Sequence, residues 1–318
     1  MDKELDMLGQ YKIGVLAGGS SSEREISLKS GKAVFGALQG KDLNMVFIDV
    51  EEDNFSSLVD RAGIDVAFIA LHGKFGEDGT VQRILDERSV PYTGSGPEPS
   101  RLALDKENSK KIFEDEGLRV PEYRAVRAGE DVSRLDIGFP CVVKPRYEGS
   151  SIGLSVVASR DLINGAIDKA ARFGERIIIE KFVFGREITV GVLEGRALPV
   201  VEIIVAGGVY DFSAKYHSDD TKYVVPARLE KSEYLRAQDA GLKAHRALGC
   251  EGFSRVDLRL SEEGDIFVLE VNTIPGLTER SLLPMAAKAE GMDFSELCVK
   301  MLLGAISKKI ETGRQGGR

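Results

Sequence analysis

The chain has 318 residues, with 43 Lys and Arg against 51 Asp and Glu and a formal net charge of −8, a balance unsuited to a general polyanion binder. Hydrophobic residues at 42% and charged residues at 30% exclude a disordered chain, and at roughly 100–200 residues per domain the length implies two or three compact units, or one large α/β domain. No apolar run reaches the roughly 18 residues of a bilayer helix, and the scattered Cys141, Cys250 and Cys298 form neither a disulfide framework nor a zinc motif. They read as reduced core residues. The start Met1-Asp2-Lys3-Glu4 carries no signal for export, so a cytoplasmic protein with neither nucleic-acid nor membrane partners is expected.

In chain order, charged residues 1–10 and the Lys-, Arg- and Gly-rich stretch from Lys308 to Arg318 read as loose ends. Between them come a strand (Ile13 to Leu16), Gly18-Gly19, a helix (Glu23 to Leu38), strands at Met45 to Val50 and Val66 to Leu71, and a helix after Asp78. Apolar strands alternating with helices predict a parallel sheet. The turn-rich segment Pro91 to Pro99 closes this unit. Helical segments broken near Gly117 and Pro121 then lead to a strand (Pro140 to Lys144), a loop (Arg146 to Gly153), a helix (Asp161 to Arg172) and a strand (Ile177 to Val183). Short strands follow, with hairpin signals at Glu194-Gly195 and Glu262-Glu263-Gly264, and a helix from Ser232 to Leu248 stopped by Gly249. The expected class is α/β and α+β, divided into residues 1–97, 98–185 and 186–318.

The most informative stretch runs from Ser254 to Leu260 and from Asp265 to Asn272. Strand alternation puts Arg255 and Asp257 on one face, and Glu270 and Asn272 on one face. A two- or four-residue turn centred between Glu263 and Gly264 sets Asp257 opposite Glu270 and Arg255 opposite Asn272. Carboxylates so placed repel and require a counter-charge. A solvated hairpin face would show the same alternation. The oxygen-only donors Asp257, Glu270 and Asn272, without His or Cys, favour Mg²⁺ or Mn²⁺, and Pro275-Gly276 can aim a backbone N–H into a site.

Around Lys144, the loop to Gly153 offers Gly149, Ser150 and Ser151 to phosphate oxygens, without the P-loop pattern. Gly18-Gly19 followed by Ser20 to Glu23 lies at the carboxyl edge of a parallel strand, where Glu23 can receive an ammonium group. The capping boxes Ser20/Glu23 and Ser22/Glu25 would account for the same residues structurally. His72 ends another strand between glycine-rich turns, while His217 and His245 suggest no role. The aperiodic segment 206–224, with Lys215 and Tyr216, reads as a lid.

Taken together, the blocks G-G-S-S-S-E-R-E-I-S-L, A-L-H-G-K-F-G-E-D-G, P-Y-T-G-S-G, V-K-P-R-Y-E-G-S-S-I-G, A-K-Y, G-F-S-R-V-D and L-E-V-N-T-I-P-G-L-T resemble the D-alanine–D-alanine ligase family of the ATP-grasp superfamily. The resemblance runs from about Lys12 to Leu303. It implies an ATP-grasp fold behind an N-terminal parallel-sheet domain, and ATP-dependent ligation of two D-alanine molecules through an acyl phosphate, for peptidoglycan precursor synthesis. Glu23 would hold the first D-alanine's ammonium, linked to Ser150 and Tyr216, with His72 beside it. Lys106 and Lys144 would contact ATP phosphates and Lys215 the γ-phosphate; Glu180, Lys181 and Val183 would bind adenine and Glu187 ribose. Two Mg²⁺ ions, or Mn²⁺, would sit on Asp257, Glu270 and Asn272. Arg255 and Gly276 would stabilise the oxyanion, and Ser281 with Leu282 would receive the second carboxylate.

The family implies a homodimer. Arg146, Tyr147, Ile274 and Glu279-Arg280 fall where family members vary, and the Lys215-Tyr216 pair favours a dipeptide over a D-alanyl-D-lactate product. Another carboxylate–amine ligase, or an ATP binder without catalysis, would use the same blocks. Intact Arg255, Asp257, Glu270 and Asn272 oppose the latter.

Overall fold

The computed structural model describes residues 2–205 and 221–315. Its N-terminal portion comprises α1 (Asp2–Leu8), β1 (Ile13–Gly18), α2 (Arg24–Leu38), β2 (Met45–Val50), α3 (Phe55–Ala62), β3 (Val66–Ile69) and α4 (Thr80–Glu87). The strands form the expected parallel sheet, in the order β2-β1-β3. Every residue of β1 and β3 is buried, as in a sheet covered on both faces. Gly31 lets α2 lie against β1, because a Cβ there would meet the Ala17 Cβ at 2.4 Å. Residues 1–10 are not the loose end that their charge suggests. Leu8 is fully buried in the core shared with Met301, Leu302 and Ile306, so apolar contact orders α1.

The middle portion contains α5 (Pro97–Leu104), α6 (Lys106–Asp115), β4 (Tyr123–Arg127), β5 (Cys141–Pro145), β6 (Ser155–Val157), α7 (Ile163–Ala171) and β7 (Arg176–Lys181). Its antiparallel sheet has the order β4-β7-β5-β6. Strands β4 and β6 have no counterpart among the expected elements, because their mostly unburied residues leave no apolar run. Asp105 caps α6 by accepting from the Asn108 N–H.

The last portion holds β8 (Arg186–Leu193), β9 (Arg196–Ala197), β10 (Val201–Ile204), β11 (Lys222–Val224), α8 (Lys231–Ala247), β12 (Phe253–Leu260), β13 (Ile266–Asn272), α9 (Leu282–Ala289) and α10 (Phe294–Gln315). Its sheet follows the order β11-β10-β8-β12-β13. The Glu194-Gly195 turn joins β8 to β9 with both residues at positive φ, 49° and 73°, the backbone of a tight hairpin. Residues 222–224 of the expected lid form β11 instead, and residues 206–220, including Lys215 and Tyr216, lie outside the described residues. The expected loose end at Lys308 is also corrected: α10 continues to Gln315, with Lys308 held by Glu251 and the Gly94 carbonyl. Cys141, Cys250 and Cys298 are free and buried, as expected. No helix among the described residues is long and apolar enough to cross a membrane.

Candidate active site

The β12–β13 ribbon places Arg255 opposite Asn272 and Asp257 opposite Glu270, the expected pairs. The route to that register differs from the expected turn. Leu260 pairs with Ile266, which leaves a longer loop, and a β-bulge after Asp257 absorbs the offset at Leu269. The bulge turns Leu269 and Glu270 toward the same cavity.

The counter-charge for the two carboxylates also differs from the expectation. Arg255 grips Asp257 through two nitrogens at 2.8 and 2.7 Å, and Thr189 and Asn272 donate to it at 2.8 and 3.1 Å. Lys106 lies 3.7 Å from Glu270. Protein cations therefore answer the repulsion for which a metal was expected. The donor set still suits a hard divalent ion: all three side chains supply oxygen, and rotating the Asn272 amide by half a turn exchanges its NH₂ for its oxygen. Among the described residues no three His, Cys, Asp or Glu side chains cluster as a metal site, so such an ion would keep waters.

One cavity against the ribbon is lined by Lys106, Lys144, Ser151, Glu180, Lys181, Val183 and Glu187, together with Asp257 and Glu270. Seven of the expected nucleotide contacts meet there, whereas Gly149 and Ser150 line the second cavity and Lys215 lies outside the described residues. Lys144 pairs with Glu180 at 2.7 Å, and Lys110 reaches the other oxygen of Glu180 at 2.9 Å. Burial acts to raise the Glu180 pKa, but the two lysines overcome it and hold the carboxyl below its ordinary range. Burial likewise opposes charge on Lys144, where Glu180 and Glu270 prevail and raise its pKa. For Lys110 burial prevails, aided by Lys144, and lowers it. Arg146 pins the loop after β5 to the start of α6, with two bonds to Asp105 at 2.6 and 2.7 Å and a further contact with Glu107.

A second cavity, of about 460 Å³, is lined by Glu23, His72, Glu77, Ser150, Arg255, Asn272, Gly276, Ser281 and Leu282, among others. Ser150 donates to Glu23 across the cleft. The approach depends on Gly149, where a Cβ would sit 2.7 Å from a Glu23 oxygen. Ser150 and Ser151 both adopt positive φ, 49° and 58°, a conformation that costs energy outside glycine. Neither capping box forms, since Glu23 at the helix start makes no side-chain cap bond and Ser22 donates to Glu148 at 3.1 Å.

His72 has both ring nitrogens engaged. The Ile274 carbonyl, 2.9 Å from Nδ1, can only accept, so Nδ1 carries the proton and Nε2 accepts from Ser30 at 2.8 Å. Burial lowers its pKa to about 4. The histidine thus joins the strand-end loop to α2 and to the turn after β13. Glu77 lies beside it, accepting from Gly73 N at 2.7 Å and Ile274 N at 3.4 Å. Burial first, and the Glu23 charge second, push Glu77 up to about 8. Ser281 begins α9 with its hydroxyl accepting from Thr278 N at 3.1 Å.

The family description "D-ala D-ala ligase C-terminus" matches residues 112–303 and "D-ala D-ala ligase N-terminus" matches residues 52–95. D-alanine–D-alanine ligase from Citrifermentans bemidjiense is 46% identical over 304 residues, covering 96% of this chain and 99% of that protein. The chain belongs to the D-alanine–D-alanine ligase family. Another member, from Geobacter sulfurreducens, is 46% identical over 303 residues, covering 94% of this chain and 96% of its own. The crystal structure of the Bacillus anthracis D-alanine–D-alanine ligase complexed with ATP superposes with a TM-score of 0.84 at 33% identity, covering 95% of this chain and all of that one. VanG D-Ala:D-Ser ligase from Enterococcus faecalis gives 0.76 at 29% identity, over 91% and 98% of the two chains. Its neighbours place the fold in the ATP-grasp class.

Beyond the residues that the family blocks suggested, the ligase fold brings in others. Lys110 follows Lys106 by one helical turn, and that period was the available signal. Arg259 follows Asp257 by one strand period and pairs with Glu187 at 3.0 Å. Glu77 stood inside a quoted block, but nothing in the sequence marked it as buried.

Proposed function

We propose that this chain is an ADP-forming ligase that joins two D-alanine molecules for peptidoglycan precursor synthesis. The observation that carries the reading is the pair of cavities sharing the β12–β13 ribbon as a wall. Asp257 and Glu270 line one, while Arg255 and Asn272 line the other. ATP in the first cavity and a carboxylate in the second would meet at that wall. The first D-alanine carboxylate attacks the γ-phosphorus, giving an acyl phosphate and ADP, and the second D-alanine's amine then displaces phosphate.

The chain's own groups divide this work. Glu23, fixed by Ser150, receives the first ammonium; Lys106 and Lys144 offset phosphate charge; Arg255 and the Gly276 N–H face the developing oxyanion; Ser281 and Leu282 receive the second carboxylate. His72 holds the wall beside the first substrate. Glu180, Lys181 and Val183 take adenine, and Glu187 takes ribose. Asp257, Glu270 and Asn272 would hold two Mg²⁺ or Mn²⁺ ions, which when bound would offset charge on the transferring phosphoryl group. Lys215 and Tyr216 belong to the same reading, as the γ-phosphate lysine and the triad tyrosine. Residues 1–97, 98–185 and 186–318 serve as the working units, and the active form is a cytoplasmic homodimer without nucleic-acid or membrane partners.

The test is ADP release with D-alanine, L-alanine or no amino acid, with and without Mg²⁺. Release should require both D-alanine and Mg²⁺, with D-alanyl-D-alanine as product. Equal release with L-alanine, or none with D-alanine, would overturn the assignment.

A further inference from the structure

Lys110 is fully buried, does not line the nucleotide cavity, and still belongs to its charge system. Its ammonium lies 2.9 Å from one oxygen of Glu180, whose other oxygen lies 2.7 Å from Lys144. The Tyr123 ring stands 5.6 Å from it, near enough for a weak cation–π attraction. Lys144, by contrast, lines the cavity and is also within the field of Glu270 and Asp257. Among the described residues the cavity is lined by five carboxylates against four cationic side chains, an unfavourable wall for a polyphosphate. Left alone with Glu180, Lys144 would form a neutral pair. With Lys110 on the second oxygen, the trio carries one net positive charge, and Lys144 is its member at the surface.

We infer that Lys110 is a positioning residue for the nucleotide's phosphates: by sharing Glu180 it keeps the Lys144 charge uncancelled at the cavity wall. This rests on the nucleotide reading above, and it concerns phosphate recognition rather than adenine recognition. The readout is therefore a ratio, the Kd of adenosine over the Kd of ADP, measured by calorimetry on the full chain. A packing defect weakens both ligands and leaves the ratio in place.

Lys110→Met should lower the ratio about tenfold, in line with losing one partner of a buried charge pair. The double variant Lys110→Met/Glu180→Gln removes one charge of each sign and should restore the ratio to within about threefold. Glu180→Gln alone removes the group that competes for Lys144, so the ratio should hold or rise; this arm does not depend on the methionine variant folding. An unchanged ratio in Lys110→Met would mean that Lys110 is carried neutral and would overturn the inference. So would a double variant no better than the single one, or a fall in Glu180→Gln. If the wild-type chain bound adenosine and ADP equally, the phosphate site itself would fail; if it bound neither, the nucleotide reading would fall, and this inference with it.

Discussion

In the nucleotide cavity, Lys144 and Glu180 are buried as an ion pair, each holding the other charged. On the amino-acid side, His72 and Glu77 are buried with pKa values near 4 and 8, so that both are neutral around pH 7. The difference follows from partners. Glu180 has two lysines within ion-pair distance, whereas Glu77 has backbone N–H groups and another carboxylate, Glu23. A wall for phosphates needs fixed charge in place before the ligand arrives. A pocket for small zwitterions suits fewer fixed charges, which on the proposed reading leaves Glu23 to receive the ammonium and Arg255 to face the developing oxyanion.

The largest effect that can break this contrast is expected from Glu270→Gln. The substitution removes one carboxylate from the nucleotide face and leaves the amino-acid cavity intact, because Glu270 lines only the former. Turnover should fall about 100-fold or more, the scale for losing a group that stabilises transition-state charge, while the D-alanine KM moves less than about threefold. Steady-state kinetics at saturating ATP and varied Mg²⁺ would show this. Near wild-type kcat at saturating Mg²⁺ would remove Glu270 from the metal assignment.

Glu23→Ala is the mirror experiment, with a smaller effect. Its carboxylate meets Ser150 and borders the amino-acid cavity alone. The KM for the first D-alanine should rise about 30-fold, since truncating one member of a charge pair costs roughly 2 kcal/mol or more, with the ATP Kd unchanged. A matching loss of ATP affinity would mean that the loop 146–153 couples the two cavities and that the contrast is overdrawn.

The same division governs what the sequence made legible. The residues of the wall between the cavities sit on the β12–β13 strands, where alternation fixes which neighbours share a face, so Arg255, Asp257, Glu270 and Asn272 could be paired from their spacing alone. Even there the bulge at Leu269 was invisible, and the pairing came out right because it cancelled a longer turn. The amino-acid side is assembled by bonds across the chain: His72 to Ile274 spans 202 residues, and Ser30 to Leu277 spans 247. No local period encodes such contacts. His72 and Glu23 were marked by their strand-end position and the family blocks, whereas Glu77 required knowledge of what buries it. The ends of the chain misled for a related reason, because Leu8 is ordered by α10, nearly 300 residues away.

The smallest effect, and the sharpest on mechanism, is expected from Glu77→Gln. A carboxyl whose pKa is about 8 when folded, but ordinary when unfolded, holds its proton more tightly in the native state. Its contribution to stability is fully present below the ordinary carboxyl range and is lost as pH rises toward 8. Glutamine cannot ionise and keeps one oxygen, enough to accept from Gly73 at the cost of the longer Ile274 bond, a loss that is the same at every pH, so the variant's Tm should fall less between pH 5 and about 8 than the wild type's. At pH 7 its kcat should stay within about twofold, because the native group is already protonated there. His72 acts in the opposite direction in both proteins: its pKa is depressed, so its contribution is present above the ordinary histidine range and is lost as pH falls toward 4. Subtracting the two Tm profiles cancels that common part and leaves Glu77 alone. Parallel profiles above pH 5 would mean that Glu77 is ionised in the native state, and the amino-acid cavity would then hold a second buried carboxylate charge beside Glu23.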